Sequence, residues 1–234
     1  MTSEELKTGK IFDPERILTQ YNTVGAAYSA SRDAKDATGV LSPAATFIRK
    51  RLGDPRGRTL VDVGCGGGQD LMAYRGLGFA DVRGMESAPG MAQIAREHVG
   101  GSVVIDDGTW SHLPYADASK DVLVGRSSIH YEHVIDAAYR EAARVLKPGG
   151  TLILVVPHPE KEKNRKIEVD GGREYVHDII RSGTVPIVYP RHFENEYFSP
   201  TFNELFELRE KEEFQKERNG KLELDQLAFI ATRK

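Results

Sequence analysis

The 234-residue chain is poor in cysteine and tryptophan, has no long apolar run, and lacks a strong charge of either sign. Its single cysteine, Cys65, leaves no intrachain disulfide to stabilise the fold and suits a reducing, cytoplasmic setting. No apolar stretch approaches the ~20 residues that a membrane-spanning helix requires. Met1 to Lys10 is polar, with no apolar segment after its charges, so a secretory leader is not expected there. Lysine and arginine total 32 against 35 aspartate and glutamate, a formal net charge of −3. That balance argues against a broad footprint on nucleic acid or on a membrane surface. What remains is a globular chain long enough to bury a substantial core without metal or disulfide.

Short apolar runs alternate with helical patterns. Thr59–Val63, Asp81–Met85, Ser102–Ile105, Asp121–Gly125 and Thr151–Val156 read as strands, four of them rich in Val, Ile and Leu with little alternation. Strands covered on both faces show that pattern. Gln69–Arg75, Pro89–His98 and Val134–Leu146 read as the intervening helices. In the last of these, Ile135, Ala138, Ala142, Val145 and Leu146 share one face, and Lys147-Pro148-Gly149-Gly150 stops it. The expected fold is α/β: a doubly wound, mostly parallel seven-stranded sheet with helices on both faces and an antiparallel C-terminal hairpin. The hairpin comes from a helix at Thr201–Arg209, strands at Glu212–Arg218 and Leu227–Thr232, and a turn at Asn219-Gly220. One domain, 1–234, is expected, with two helices over 13–52 broken around Thr38-Gly39. Residues 157–200, which carry no clear period, read as an insertion.

The loop Val61-Asp62-Val63-Gly64-Cys65-Gly66-Gly67-Gly68-Gln69-Asp70 joins the first strand to its helix. Glycines there allow a sharp turn and close approach of a ligand to the backbone. The carboxyl end of a parallel strand is where nucleotide-type ligands sit. A dinucleotide fingerprint, Gly-x-Gly-x-x-Gly, would place its third glycine at Gln69 or Leu71, which argues against nicotinamide chemistry. The spacing present is an acid, Asp62, two residues before Gly64, Gly66 and Gly68.

At these residues the chain resembles the class I, Rossmann-like methyltransferases that use S-adenosylmethionine. Arg83-Gly84-Met85-Glu86-Ser87 with Met91, Asp106-Asp107-Gly108, Leu113-Pro114-Tyr115, Asp121-Val122-Leu123-Val124 and Ala143–Leu152 extend the likeness from Leu60 to Val156. The resemblance implies S-adenosyl-L-methionine as cofactor and S-adenosyl-L-homocysteine as product. It implies that Glu86 accepts from vicinal ribose hydroxyls. Asp62, Gly64, Cys65, Gly66, Gly68, Ser87 and Met91 would surround the cofactor. Asp106 or Asp107, with Asp107 and Gly108 preferred, would face the adenine. Trp110 either covers that ring or fills space between strand and helix. Tyr21-Asn22, Tyr28 and Arg32 resemble the family's lid helix, with Arg32 placed to grip a carboxylate by its two-pronged fork.

Arg126-Ser127-Ser128-Ile129-His130-Tyr131-Glu132-His133 follows the fourth strand, where both ends of the reaction meet in this family. Arg126 is expected at the cofactor. His130 is the candidate general base, since an ordinary imidazole titrates near working pH. His130 and His133 lack a third ligand nearby in sequence, so no metal is expected. His158, Tyr189, Arg191, His192 and Tyr197 are candidates for an acceptor pocket formed by the insertion. The implied function is methyl transfer to a small-molecule acceptor at O, N or C by in-line displacement. Two further readings stay open: cofactor binding without transfer, and a protein or peptide acceptor.

Overall fold

Residues along a strand face opposite sides of a sheet in turn, so a strand apolar at every position needs a core on each side. The computed structural model, which describes residues 13–36, 39–162, 165–179, 186–218 and 220–234, supplies both. β1 (Thr59–Val63), β2 (Asp81–Met85), β3 (Val104–Asp106), β4 (Lys120–Arg126) and β5 (Leu146–Pro157) run parallel. A second, antiparallel sheet follows, made of β6 (Lys166–Asp170), β7 (Arg173–Ile179) and β8 (Pro186–Pro190). β9 (Phe206–Arg218) and β10 (Lys221–Arg233) then return to the first sheet, whose order is β3-β2-β1-β4-β5-β10-β9. β10 lies antiparallel to β5 and to β9.

On one face, Val61, Leu123, Leu152 and Phe229 pack with Ala138 and Ala142 of α5 (Ile135–Val145) and with Phe202 of α8 (Pro200–Leu205), which follows the short helices α6 (Pro159–Glu162) and α7 (Glu194–Tyr197). On the other, Leu60, Val122, Ile153 and Ala228 pack against Phe47 of α2 (Pro43–Arg51), Leu71 of α3 (Leu71–Gly76) and Ala95 of α4 (Pro89–Val99). Local chemistry starts and stops these helices. The Ser42 hydroxyl accepts the Ala45 N–H at 3.1 Å ahead of Pro43, and Gly100 closes α4 in the left-handed conformation, φ 56°. A third core joins the N-terminal helix α1 (Pro14–Asp36) to the small sheet through Ile17, Val24, Val176, Ile187 and Tyr189.

The structure corrects three expectations. The third strand begins at Val104, two residues later than its apolar run. The helix read to Arg209 ends at Leu205, because Phe206 onward pairs with β10 along the whole hairpin. That long-range pairing overrides local preference. Residues 157–200 contain a sheet where no period was legible. Its first strand has no buried position, and Val169 is 63% exposed, so no apolar alternation marks it. Asn219 and Thr38, two of the turn positions read above, lie outside the described residues, as does Met1 to Lys10. Among the described residues no helix is long and apolar enough to cross a membrane.

Candidate functional site

The strand order runs outward from β1 to β3 and resumes on the other side at β4, which opens a crevice at the carboxyl ends of β1 and β4. A cavity of about 300 Å³ occupies it, bounded by the turns after β1, β2 and β4 and roofed by α1.

The glycine turn forms the floor, and its glycines do different things. Gly66 has φ +58°, and a Cβ there would meet only the methyl carbon of Met91, at 3.5 Å. The space in front of it is a cradle left open to a ligand. A Cβ on Gly64 would instead fall 2.4 Å from the Cβ of Ser128, so that glycine admits the β4 turn rather than a ligand. Gly68 packs on Ala95 and Val99 of α4 and stands off the cavity wall.

Glu86 directly follows β2 beside this cradle. Its carboxylate accepts the N–H of Gly66 at 2.9 Å and that of Ala88 at 2.9 Å. Burial raises its pKa against those bonds. Ser87, Ala88 and Met91 continue the wall, with Gly108 opposite. Asp107 is exposed and off the wall, and Asp106 accepts from Tyr115 (2.9 Å) and Arg83 (3.3 Å). Trp110 reaches the cavity and donates from Nε1 to Ser128 Oγ at 3.0 Å.

Asp62 is buried at the far side of the glycine turn. Burial and the neighbouring Asp70 push its pKa well up, partly opposed by Arg32. Two arginines converge on Asp70: Arg126 at 2.5 Å and Arg32 at 3.5 Å. The cavity thus holds acidic groups at both ends of the turn and a pair of guanidinium groups between helix α1 and the end of β4.

The remaining wall is aromatic. Tyr21 and Tyr131 stand with their hydroxyl oxygens 2.7 Å apart, and Tyr28 meets Tyr21 edge-on. Glu132 and His133 complete it. His130 does not: it turns away from the cavity and is 3% exposed among Tyr131 and Tyr189. Burial, then the nearby His192 and Lys161, lower its pKa to about 3. The chain leaves the 3-10 turn Ile129–Tyr131 and becomes extended at Glu132, so the two histidines three apart face different ways. Nothing in their spacing could have told which one faces the cavity.

Of the thirteen residues expected at a cofactor, Tyr28, Arg32, Asp62, Gly64, Cys65, Gly66, Glu86, Ser87, Met91, Gly108 and Arg126 share the wall. Gly68 and Asp107 do not. Among the described residues, none of 157–200 lines the cavity. Tyr189 packs behind Tyr131, Arg191 pairs with Glu174, His158 lies 3.6 Å from Glu213, and the Tyr197 carbonyl accepts the Tyr139 hydroxyl. His192 donates from Nε2 to the Glu132 carbonyl at 2.9 Å. The insertion supports the wall from behind. Asp70, Tyr131 and Glu132 were not singled out as site residues in the sequence. Asp70 follows the glycine loop directly, and that adjacency was the available signal.

Residues 61–154 match the family described as Methyltransferase domain. A relative is 27-O-demethylrifamycin SV methyltransferase of Amycolatopsis mediterranei (strain S699), 32% identical over 157 residues, or 58% of this chain and 56% of that protein. The chain spans about half or less of the curated relatives it matches first, 56%, 40% and 31% of their lengths. Among solved structures, an S-adenosylmethionine dependent methyltransferase from Mesorhizobium loti aligns with TM-score 0.66 at 19% identity, over 82% of this chain and 99% of that one. Burkholderia thailandensis 1,6-didemethyltoxoflavin-N1-methyltransferase, solved with its namesake ligand and S-adenosylhomocysteine, aligns with TM-score 0.61 at 17% identity, over 96% and 92%. At such identities the likeness establishes the fold.

Proposed function

We propose that the chain is a class I, Rossmann-like S-adenosylmethionine-dependent methyltransferase, as the match of residues 61–154 to the Methyltransferase domain family supports, and that it transfers a methyl group to a small-molecule acceptor by in-line displacement. The observation that carries this reading is the open cradle at Gly66 with the Glu86 carboxylate fastened to its N–H. A ribose fits there, with its hydroxyls donating to the carboxylate's remaining lone pairs. Gly108 and Met91 would flank the adenine. Asp62 would face the cofactor's ammonium, which favours its ionised form. Arg32 and Arg126 would meet its carboxylate, with Tyr28 closing above.

S-adenosylmethionine supplies a methyl group already activated by its positive sulfur. The protein's work is therefore alignment and exclusion of water. α1, in the segment 13–52, serves as the lid, and the insertion 157–200 braces the acceptor end. A cavity of about 300 Å³ suits a small ligand, and the rifamycin-type and toxoflavin-type relatives are named for small-molecule acceptors. A cytoplasmic setting belongs to the same proposal, on the reducing environment that the lone Cys65 suits.

Thermal shift and calorimetry with S-adenosylhomocysteine test the cofactor. Stabilisation should reach about 2.7 kcal/mol at a hundredfold excess over Kd. Stabilisation by NADH in its place would overturn the reading. With binding shown, an acceptor screen by homocysteine release follows. Turnover only with a peptide or an RNA would revise the acceptor class, and no turnover with any would leave a binding protein.

A further inference from the structure

We propose that His133 is the general base of the transfer and that the acceptor it serves is a flat, uncharged aromatic ring bearing a hydroxyl group. This rests on the methyl-transfer reading above and adds to it the base and the substrate class.

Two contacts from the small sheet hold His133 at the cavity wall. Its ring stacks on Tyr175 of β7, with centroids 6.3 Å apart and planes 20° from parallel. The preceding peptide is fixed by His192, whose Nε2–H donates to the Glu132 carbonyl at 2.9 Å while its Nδ1 lies 3.0 Å from the Arg173 guanidinium. Arg173 and Tyr175 belong to one strand, so β7 sets the ring's plane and position together. A base held this way needs little reorganisation at the moment of reaction. The groups around the ring favour its neutral form: burial, Arg173 and His192 push its pKa down, and Glu196 opposes them with a smaller effect.

The same wall selects the acceptor. Tyr21, Tyr28, Trp110 and Tyr131 surround a slot that suits a planar ring. Burial keeps the Tyr21 and Tyr131 hydroxyls protonated, so they offer hydrogen bonds and no charge. Both arginines of the wall are engaged by Asp70, and Glu132, which accepts from Ser111 Oγ at 2.5 Å, adds a carboxylate beside His133. An anionic acceptor would enter a site already weighted toward negative charge. In the step, the acceptor oxygen forms a bond to the methyl carbon and the carbon–sulfur bond breaks. Its electron pair stays on sulfur, leaving a neutral thioether. The hydroxyl proton passes to the His133 imidazole and from there to water.

The test uses the full chain, S-adenosylmethionine, 2-naphthol as the uncharged probe and 2-naphthoate as the anionic one. Methylation of 2-naphthol and not 2-naphthoate is expected. His133→Gln should lower kcat on the order of 10²-fold or more at pH 7, with affinity for S-adenosylhomocysteine unchanged. Its remaining rate should climb with pH as the naphthol itself ionises, whereas the wild-type rate levels off once the imidazole is neutral. Independently of turnover, 2-naphthol added to the wild-type complex with S-adenosylhomocysteine should shift the His133 ring signals in nitrogen-detected NMR and leave those of His130 in place. A wild-type rate in His133→Gln, or equal use of 2-naphthoate, would overturn the proposal. So would an unmoved His133 signal. If the underlying reading failed instead, S-adenosylhomocysteine itself would not bind.

Discussion

The Glu86 carboxylate accepts the backbone N–H of Gly66 at 2.9 Å, so one side chain directly after β2 fixes the turn that follows β1. The same carboxylate also takes the Ala88 N–H, which opens α4. Glu86→Ala removes both bonds and the proposed ribose contact. A loss of about 1–2 kcal/mol in S-adenosylhomocysteine affinity is expected, on the scale of a buried hydrogen bond. Calorimetry would read it as a Kd roughly tenfold higher, and an unchanged Kd would remove Glu86 from the ligand site.

Gly66 and Gly64 should respond differently to substitution although they stand two apart. Gly66→Val fills the open cradle and should abolish cofactor binding. Gly64→Ala sets a Cβ against Ser128 in tight packing and should cost stability, about 1–3 kcal/mol as for an overpacked core. Denaturant unfolding and ligand titration on both variants separate the two. Near-normal affinity in Gly66→Val would contradict the cradle.

His130 gives the fold a pH dependence of definite sign. Its folded pKa, about 3, lies below that of an unfolded histidine, so between about pH 6.5 and that value the unfolded chain binds the extra proton. The stability linked to its neutral form is whole above pH 6.5 and declines as pH falls toward 3. Its Nδ1 is buried without a hydrogen-bond partner among the described residues, so an apolar ring forfeits little there. His130→Phe should therefore show a smaller drop in Tm than the wild type between pH 7 and pH 4. Equal drops would mean that His130 is not buried in its neutral form.

Tyr139 ties α5 to the chain before α8 by donating its hydroxyl to the Tyr197 carbonyl at 2.9 Å, with the ring wholly buried. Tyr139→Phe should cost about 1 kcal/mol of stability and leave cofactor affinity alone. A changed Kd for S-adenosylhomocysteine would show that this core communicates with the cavity.

β1, β4 and β5 were legible because each is apolar on both faces over a few consecutive residues, a property local in the chain. The glycine turn and Glu86 were legible for a related reason: each directly follows a parallel strand, and strand ends converge in this topology. His130 stands out by residue type and by its place after the fourth strand, and neither says which way a ring points. Only the exit of the chain from its turn at Tyr131 aims His133 at the cavity and buries His130 behind it.

The small sheet and its union with α1 were beyond the reach of periodicity. β6 buries no residue of its own, and the apolar residues that hold the sheet, Val176, Ile187 and Tyr189, find their partners Ile17 and Val24 more than a hundred residues away. The amino-acid order was enough to specify the sheet's central strands, the cradle at Gly66 and the acid beside it, since hydrophobic period and glycine position act within a few residues. Which side chains meet across the cavity depended on packing between distant segments, where burial and geometry rather than spacing select the partner.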